Sequence, residues 1–160
     1  MRWSEVLAYV AAQILGALCG ALLANTMFGQ AFTWSRNHRG GWPLLLGELV
    51  ATFGLVAVIR GCARRESSAV AYVVGAYITA AYWFTSSTSF ANPAVTLARS
   101  LTDTFSGIRP ADVPGFVAAQ CTGAAAAALL FRWLVSARSA AVTREEETQS
   151  DGSRAIRLSS

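Results

Sequence analysis

The tripeptide Asn92-Pro93-Ala94 lies between two long apolar stretches of this 160-residue chain, directly after the hydroxyl-rich run Thr85-Ser86-Ser87-Thr88-Ser89. Asparagine is a favoured helix N-cap, and proline is tolerated at the first helical position because its missing N–H had no partner there. The pair predicts a helix start, and residues 94–101 continue in a helix-like pattern. A helix of about ten residues is about 15 Å long, half the hydrocarbon thickness of a bilayer. In a membrane, a half-length helix with open amide groups is tolerated only where protein surrounds it or where it lines a wet cavity. Outside a membrane the same tripeptide would merely open a surface helix. Whether the flanking stretches cross a bilayer therefore decides between a pore element and a cap.

The composition favours the bilayer, with 54% of the residues hydrophobic. Four segments are expected to span it: 6–28, 44–62, 69–84 and 113–135. The third is the shortest and would need its Trp83-Phe84 end at the interface. Several breaks in these runs are small residues that suit helix contacts in lipid, such as Gly16-x-x-x-Gly20 and Gly123-x-x-x-Ala127. The first segment lacks the basic flank and cleavage site of a secretory signal. The reading is an all-α integral membrane protein.

The net charge of +4 carries no nucleic-acid signal, because all 13 basic residues are arginines distributed among loops and ends. Arg60, Arg64 and Arg65 join the second and third segments, Arg2 precedes the first, and Arg132, Arg138 and Arg144 mark the end of the fourth. Arg36, Arg39, Arg99 and Arg109 occupy the other loops. The positive-inside rule places both chain ends in the cytoplasm and the Asn-Pro-Ala loop outside. From Thr143 the chain turns polar, with Glu145-Glu146-Glu147, so 143–160 is expected to be a disordered cytoplasmic tail. Cys19, Cys62 and Cys121 have no pairing or metal spacing and are expected to be small apolar core residues. His38 is expected to be a solvated surface residue. No metal or cofactor site is predicted.

Residues 9–24 align without a gap on residues 116–131, with nine of the sixteen positions identical, including Gln13 with Gln120 and Gly16 with Gly123. Membrane channels and transporters are often built from two such repeats, inverted about the membrane plane. If each copy closes its own repeat, the second repeat is whole and only the closing helix of the first remains. Two spans and a second half-helix are then expected before residue 1.

These features resemble the aquaporin family, the major intrinsic proteins. The run Gly47-Glu48-Leu49-Val50-Ala51-Thr52-Phe53 looks like the opening of that family's fourth membrane helix. The resemblance covers residues 5–135 in matching order and implies an inverted-repeat helical bundle, here four transmembrane helices plus one re-entrant half-helix. Residues 1–142 would form an incomplete channel domain, with 5–28 closing repeat one and 44–135 as repeat two. The stretch from Asn92 to Ser100, with Ile108-Arg109-Pro110-Ala111-Asp112-Val113-Pro114, further resembles a bacterial branch associated with arsenic resistance.

What the resemblance implies is passive passage of small uncharged solutes: polyols, metalloid hydroxides such as arsenite, and water. It implies tetramers of complete subunits in a bacterial plasma membrane. Asn92, Pro93 and Ala94 would form the pore turn, with the helix dipole opposing cations and the 85–89 carbonyls forming a ladder of acceptors. The position that holds arginine in the family's water-selective branch is Val95, and the other filter positions are Ala80 and Ser89. Arg99 lies one turn further along, toward the outer surface. Glu48 is an intramembrane carboxylate and so a functional candidate. The resemblance implies that it accepts hydrogen bonds from the pore loop, with Thr52 on the same helix face; the alternative is a Glu48 at the interface, five residues past Pro43. Competing classes are a secondary transporter and a truncated, non-conducting membrane protein. No Ser/His pair or carboxylate cluster supports an enzyme.

Overall fold

The computed structural model describes residues 2–64 and 67–158, the side chains of Ser67 and of residues beyond 135 excepted. It contains five α-helices: α1 (Trp3–Met27), α2 (Trp42–Ala63), α3 (Val70–Phe84), α4 (Pro93–Arg99) and α5 (Val113–Leu158). Short 3-10 turns, Ser67–Ala69 and Pro110–Asp112, lead into α3 and α5. The chain divides into two units, Met1–Ala127 and Ala128–Ser160. The first holds the candidate site, and the second begins within α5.

Each helix starts or stops where local chemistry dictates. The Glu5 side chain accepts a hydrogen bond from the Arg2 backbone N–H at the start of α1, where an acidic residue also suits the helix dipole. Gly41, with φ of 110°, turns the chain into α2, where Pro43 fits the first turn. At the end of α3 the Thr85 hydroxyl donates back to the Ala81 carbonyl. The seven residues of α4 begin at Asn92, whose Oδ1 accepts from the Ala94 N–H at 2.8 Å. This helix is shorter than the stretch 94–101 suggests, because Ser100 and Leu101 close onto the carbonyls three residues back.

Among the described residues, three segments are long and apolar enough to cross a bilayer: Trp3–Met27, Trp42–Ala63 and Pro110–Val135. The third of the four expected spans is the exception. At 15 residues, α3 measures only about 23 Å. The polar stretch from Thr143, for which composition alone predicts disorder, continues the α5 backbone to Leu158, and its side chains lie outside the described residues. Arg65 of the charged loop also lies outside them.

Burial is inverted relative to a water-soluble domain. Trp3, Leu7, Leu15, Tyr72 and Trp83 are exposed, while Glu48, Gln120, Thr96 and Ser87 are among the largest fully buried side chains. An apolar solvent accounts for this, because lipid accepts the outer side chains and the backbone polar groups must be satisfied within. It also explains why Cys19 and Cys121 are exposed rather than in the core, since small apolar side chains suit either face of a membrane helix. A small apolar cluster of Phe90, Ile108, Val113 and Phe116 seals the space between the loops and the start of α5. Phe90 and Phe116 meet edge to face at 5.3 Å.

The 28–41 loop is stitched to the segment after α4. Ser35 N–H donates to the Ser100 carbonyl, Arg109 N–H to that of Asn37, and Phe32 bridges Thr102. The two copies of the repeated helix have different surroundings. Gly123 lies so close to α2 that a methyl group there would meet the Leu49 carbonyl, while Gly16 faces open space. Gln120 is buried and Gln13 is exposed.

Gly123→Ala should therefore force α5 off α2 and destabilise the protein by about 1–3 kcal/mol, whereas Gly16→Ala should be neutral or stabilising. Thermal unfolding midpoints of the detergent-solubilised variants check this, and equal midpoints would refute the close α2–α5 approach.

Candidate functional site

The loop from Thr85 to Asn92 adopts a conformation that its residues do not favour. Thr88, Ser89 and Ala91 have φ of 61°, 47° and 49°, in the left-handed region, and none of them is glycine. Such residues cost about 1 kcal/mol or more each and persist only where the surroundings over-determine them. The surroundings here are α2, α5 and the 28–41 loop.

From α2 comes Glu48, fully buried. Its Oε1 accepts from the Phe90 N–H at 2.8 Å and its Oε2 from the Ala91 N–H at 2.9 Å. From α5 comes Gln120, whose Nε2 donates to Glu48 Oε2 at 2.6 Å and to Thr96 Oγ1 at 2.9 Å. The Thr96 hydroxyl in turn donates to the Asn92 carbonyl. One carboxylate, one amide and one hydroxyl thus bind the loop and α4 to two membrane helices. Charge-assisted bonds of this kind are about twice as strong as neutral ones. Gly47 lets α2 come this close, since a Cβ there would press on Ser86 and Ser87.

From the 28–41 loop comes Arg39, also buried. Its guanidinium donates to the carbonyls of Gly107, Ser87 and Phe105 at 2.7, 2.9 and 2.7 Å, and more weakly to Thr88 Oγ1. Burial pushes this guanidinium below its usual pKa, and nearby Glu48 and Tyr82 hold it up. Asp112 clasps the same loop, accepting from the Arg39 backbone N–H and from Arg109, with His38 Nδ1 at 2.9 Å. His38 remains solvated, yet it is part of that clasp.

The expected site residues separate on this structure. Asn92, Pro93 and Ala94 form the capped start of α4, and Glu48 reaches the loop before it. Asn92 Nδ2 makes no hydrogen bond among the described residues. Thr52 is buried, but its hydroxyl has no partner and does not join the network. Val95 lines a cavity of about 550 Å³ with Ala17, Ala21 and Ala24 of α1 and with Ala98 and Arg99 of α4. Asn25, Thr102, Thr104 and Ser106 supply its polar wall. Ala80 and Ser89 do not line it: Ala80 is exposed on α3, and Ser89 is buried with its hydroxyl unpartnered. The carbonyl ladder is incomplete, because Ser87 O is held by Arg39 and Thr85 O by the Thr88 N–H. Gln120, Thr96 and Arg39 are the site residues that sequence reasoning missed. Only Gln120 left a signal, as one of two glutamines kept in the repeat.

Glu48→Gln should leave at least one loop N–H facing an amide NH₂, at a cost of about 1–3 kcal/mol. A fall in the unfolding midpoint of the solubilised variant checks this, and an unchanged midpoint would mean the carboxylate does not hold the loop.

The family model described as major intrinsic protein matches residues 62–157. Among curated proteins, the chain is similar to the aquaglyceroporin AqpS of Rhizobium meliloti (strain 1021), with 57% identity over 129 residues. That match covers 80% of this chain and 55% of the relative, so the chain spans about half the length of the protein it matches. No solved structure matches significantly.

Proposed function

The chain belongs to the major intrinsic protein family, and from that premise we propose that it forms a passive channel for small uncharged solutes. The observation that carries this reading is the loop before Asn92, bonded to a carboxylate inside a helix of spanning length. Glu48 is the seventh residue of α2, about 9 Å along its axis. A loop anchored there lies within the membrane, where irregular backbone is tolerated only against protein or a wet cavity.

Asn92 then caps α4 through Oδ1 and leaves its Nδ2 N–H groups for a passing solute. Pro93 and Ala94 set the start of α4, while Ala80 and Ser89, small but outside the cavity beside Val95, are wall positions only by family resemblance. Glu48, with Thr52 packed on the same helix face, supports the loop. The hydrogen-bonding groups face neutral solutes on favourable terms, and half-helix dipoles of this kind oppose cations. Val95 leaves an apolar, roomy wall where a guanidinium would narrow the passage. That favours glycerol-sized polyols and undissociated metalloid hydroxides such as arsenite alongside water; the 57% identical relative is an aquaglyceroporin, in keeping with the polyols. On this reading the protein sits in a bacterial plasma membrane with its C-terminus cytoplasmic, as the distribution of arginines supports, and works as a homo-oligomer, tetrameric by family resemblance.

A secondary transporter would need a carboxylate free to couple an ion at the broken helix. The nearby one, Glu48, is committed to three hydrogen bonds.

Proteoliposomes carrying the protein should swell in glycerol and admit arsenite without an ion gradient and in both directions. Stopped-flow light scattering measures this. Val95→Arg should lower glycerol permeability by about tenfold while sparing water. Fast water flux with no glycerol or arsenite entry, or flux that requires a gradient, counts against the proposal.

A further inference from the structure

Val95 carries no charge, but α4 brings one to the same place from a turn away. Helical side chains lean toward the N-terminus, so the side chain of residue 99 covers the surface beside residue 95. The structure gives the extent of that reach. Arg99 Cζ lies 4.3 Å from the centroid of the Phe90 ring, nine positions upstream in the loop that Glu48 holds. Sequence position alone puts Arg99 at the outer surface, whereas the folded side chain returns its charge to the level of the pore loop.

The two guanidiniums packed on Phe90 differ in what binds them. Arg39, at 4.9 Å from the ring centroid, is held by three carbonyls and a hydroxyl. Arg99 makes no side-chain hydrogen bond or ion pair among the described residues, and its Nη1 is buried without a partner. Glu48 is the one buried carboxylate among the described residues, and it already accepts three hydrogen bonds. Two arginines against one glutamate leave a net +1 at the loop. Arg99 also lines the 550 Å³ cavity together with Val95 and Asn25. An unneutralised cation in a low-dielectric wall acts on passing charge far more strongly than it would in water.

On the channel reading above, on which this rests, we infer that Arg99 is the specificity-determining residue that turns cations away, taking over from position 95. Held over the Phe90 ring, it supplies charge at the side of the passage and leaves the bore beside Val95 wide. Selection by charge is thereby separated from selection by size.

The test compares wild-type protein with Arg99→Gln and Arg99→Lys in proteoliposomes, reading glycerol swelling and K⁺ and proton leak on the same vesicles. Arg99→Gln should keep glycerol permeability within about twofold and raise cation leak by about tenfold, and Arg99→Lys should restore exclusion. A second variant, Asn25→Asp, places a carboxylate on the cavity wall, keeps the oxygen that accepts from Thr102 and gives up the long Nδ2 bond to the Ala31 carbonyl. It should also raise cation leak with Arg99 in place, and it decides the matter if Arg99→Gln fails to insert. Glycerol flux with unchanged leak in these variants overturns the role of Arg99 and leaves the channel standing. Wild-type vesicles that pass no glycerol overturn both.

Discussion

The structure depends on one carboxylate accepting hydrogen bonds from two consecutive backbone amides. Phe90 and Ala91 lie in a loop with no strand or helix to satisfy their N–H groups, and three residues of that loop are in left-handed conformations. In water such groups would be solvated, whereas in hydrocarbon each unsatisfied one costs several kcal/mol. Glu48 resolves both difficulties, because its two oxygens take the two amides and fix the backbone between them. The charge it brings into the membrane is itself stabilised by Gln120, which ties α5 to the same point. Removing any one member exposes the others, so the network behaves as a unit.

A second layer of contacts surrounds this anchor. Arg39 fastens the outer 28–41 loop to Ser87, Phe105 and Gly107, and Asp112 fastens Arg39 in turn. Phe90 therefore has its amide bonded to Glu48 and its ring packed against two guanidiniums and Phe116. The loop is held by a negative charge at its amides and by positive ones at the Phe90 ring and the Ser87 carbonyl.

Much of the frame was legible in the sequence, because membrane spans and helix caps are local signals. Apolar runs marked α1, α2 and the start of α5, and Asn92-Pro93 marked α4 to within a residue. The run 69–84 marked α3 to within a residue, but at 15 residues that helix is the shortest of the four apolar ones. Glu48 stood out because an acidic residue inside a span is rare. Thr52 shared its face by spacing, but spacing cannot say which hydroxyl reaches a partner. Arg39 was one arginine among several in polar loops, and only the long-range stitching of 28–41 to 100–109 buries it. The left-handed residues were invisible because the usual marker, glycine, is absent there. Arg99 was located correctly in sequence, but its charged end lies where the rotamer and the Phe90 ring take it.

The central claim is that the amides of Phe90 and Ala91 are bonded to a carboxylate out of reach of water. Residue-resolved hydrogen–deuterium exchange on the protein in lipid vesicles tests it most directly. The account predicts that these two amides exchange as slowly as those in the middle of α2, although they belong to no helix. Exchange at the rate of the exposed loop residues around Asp103 would contradict it.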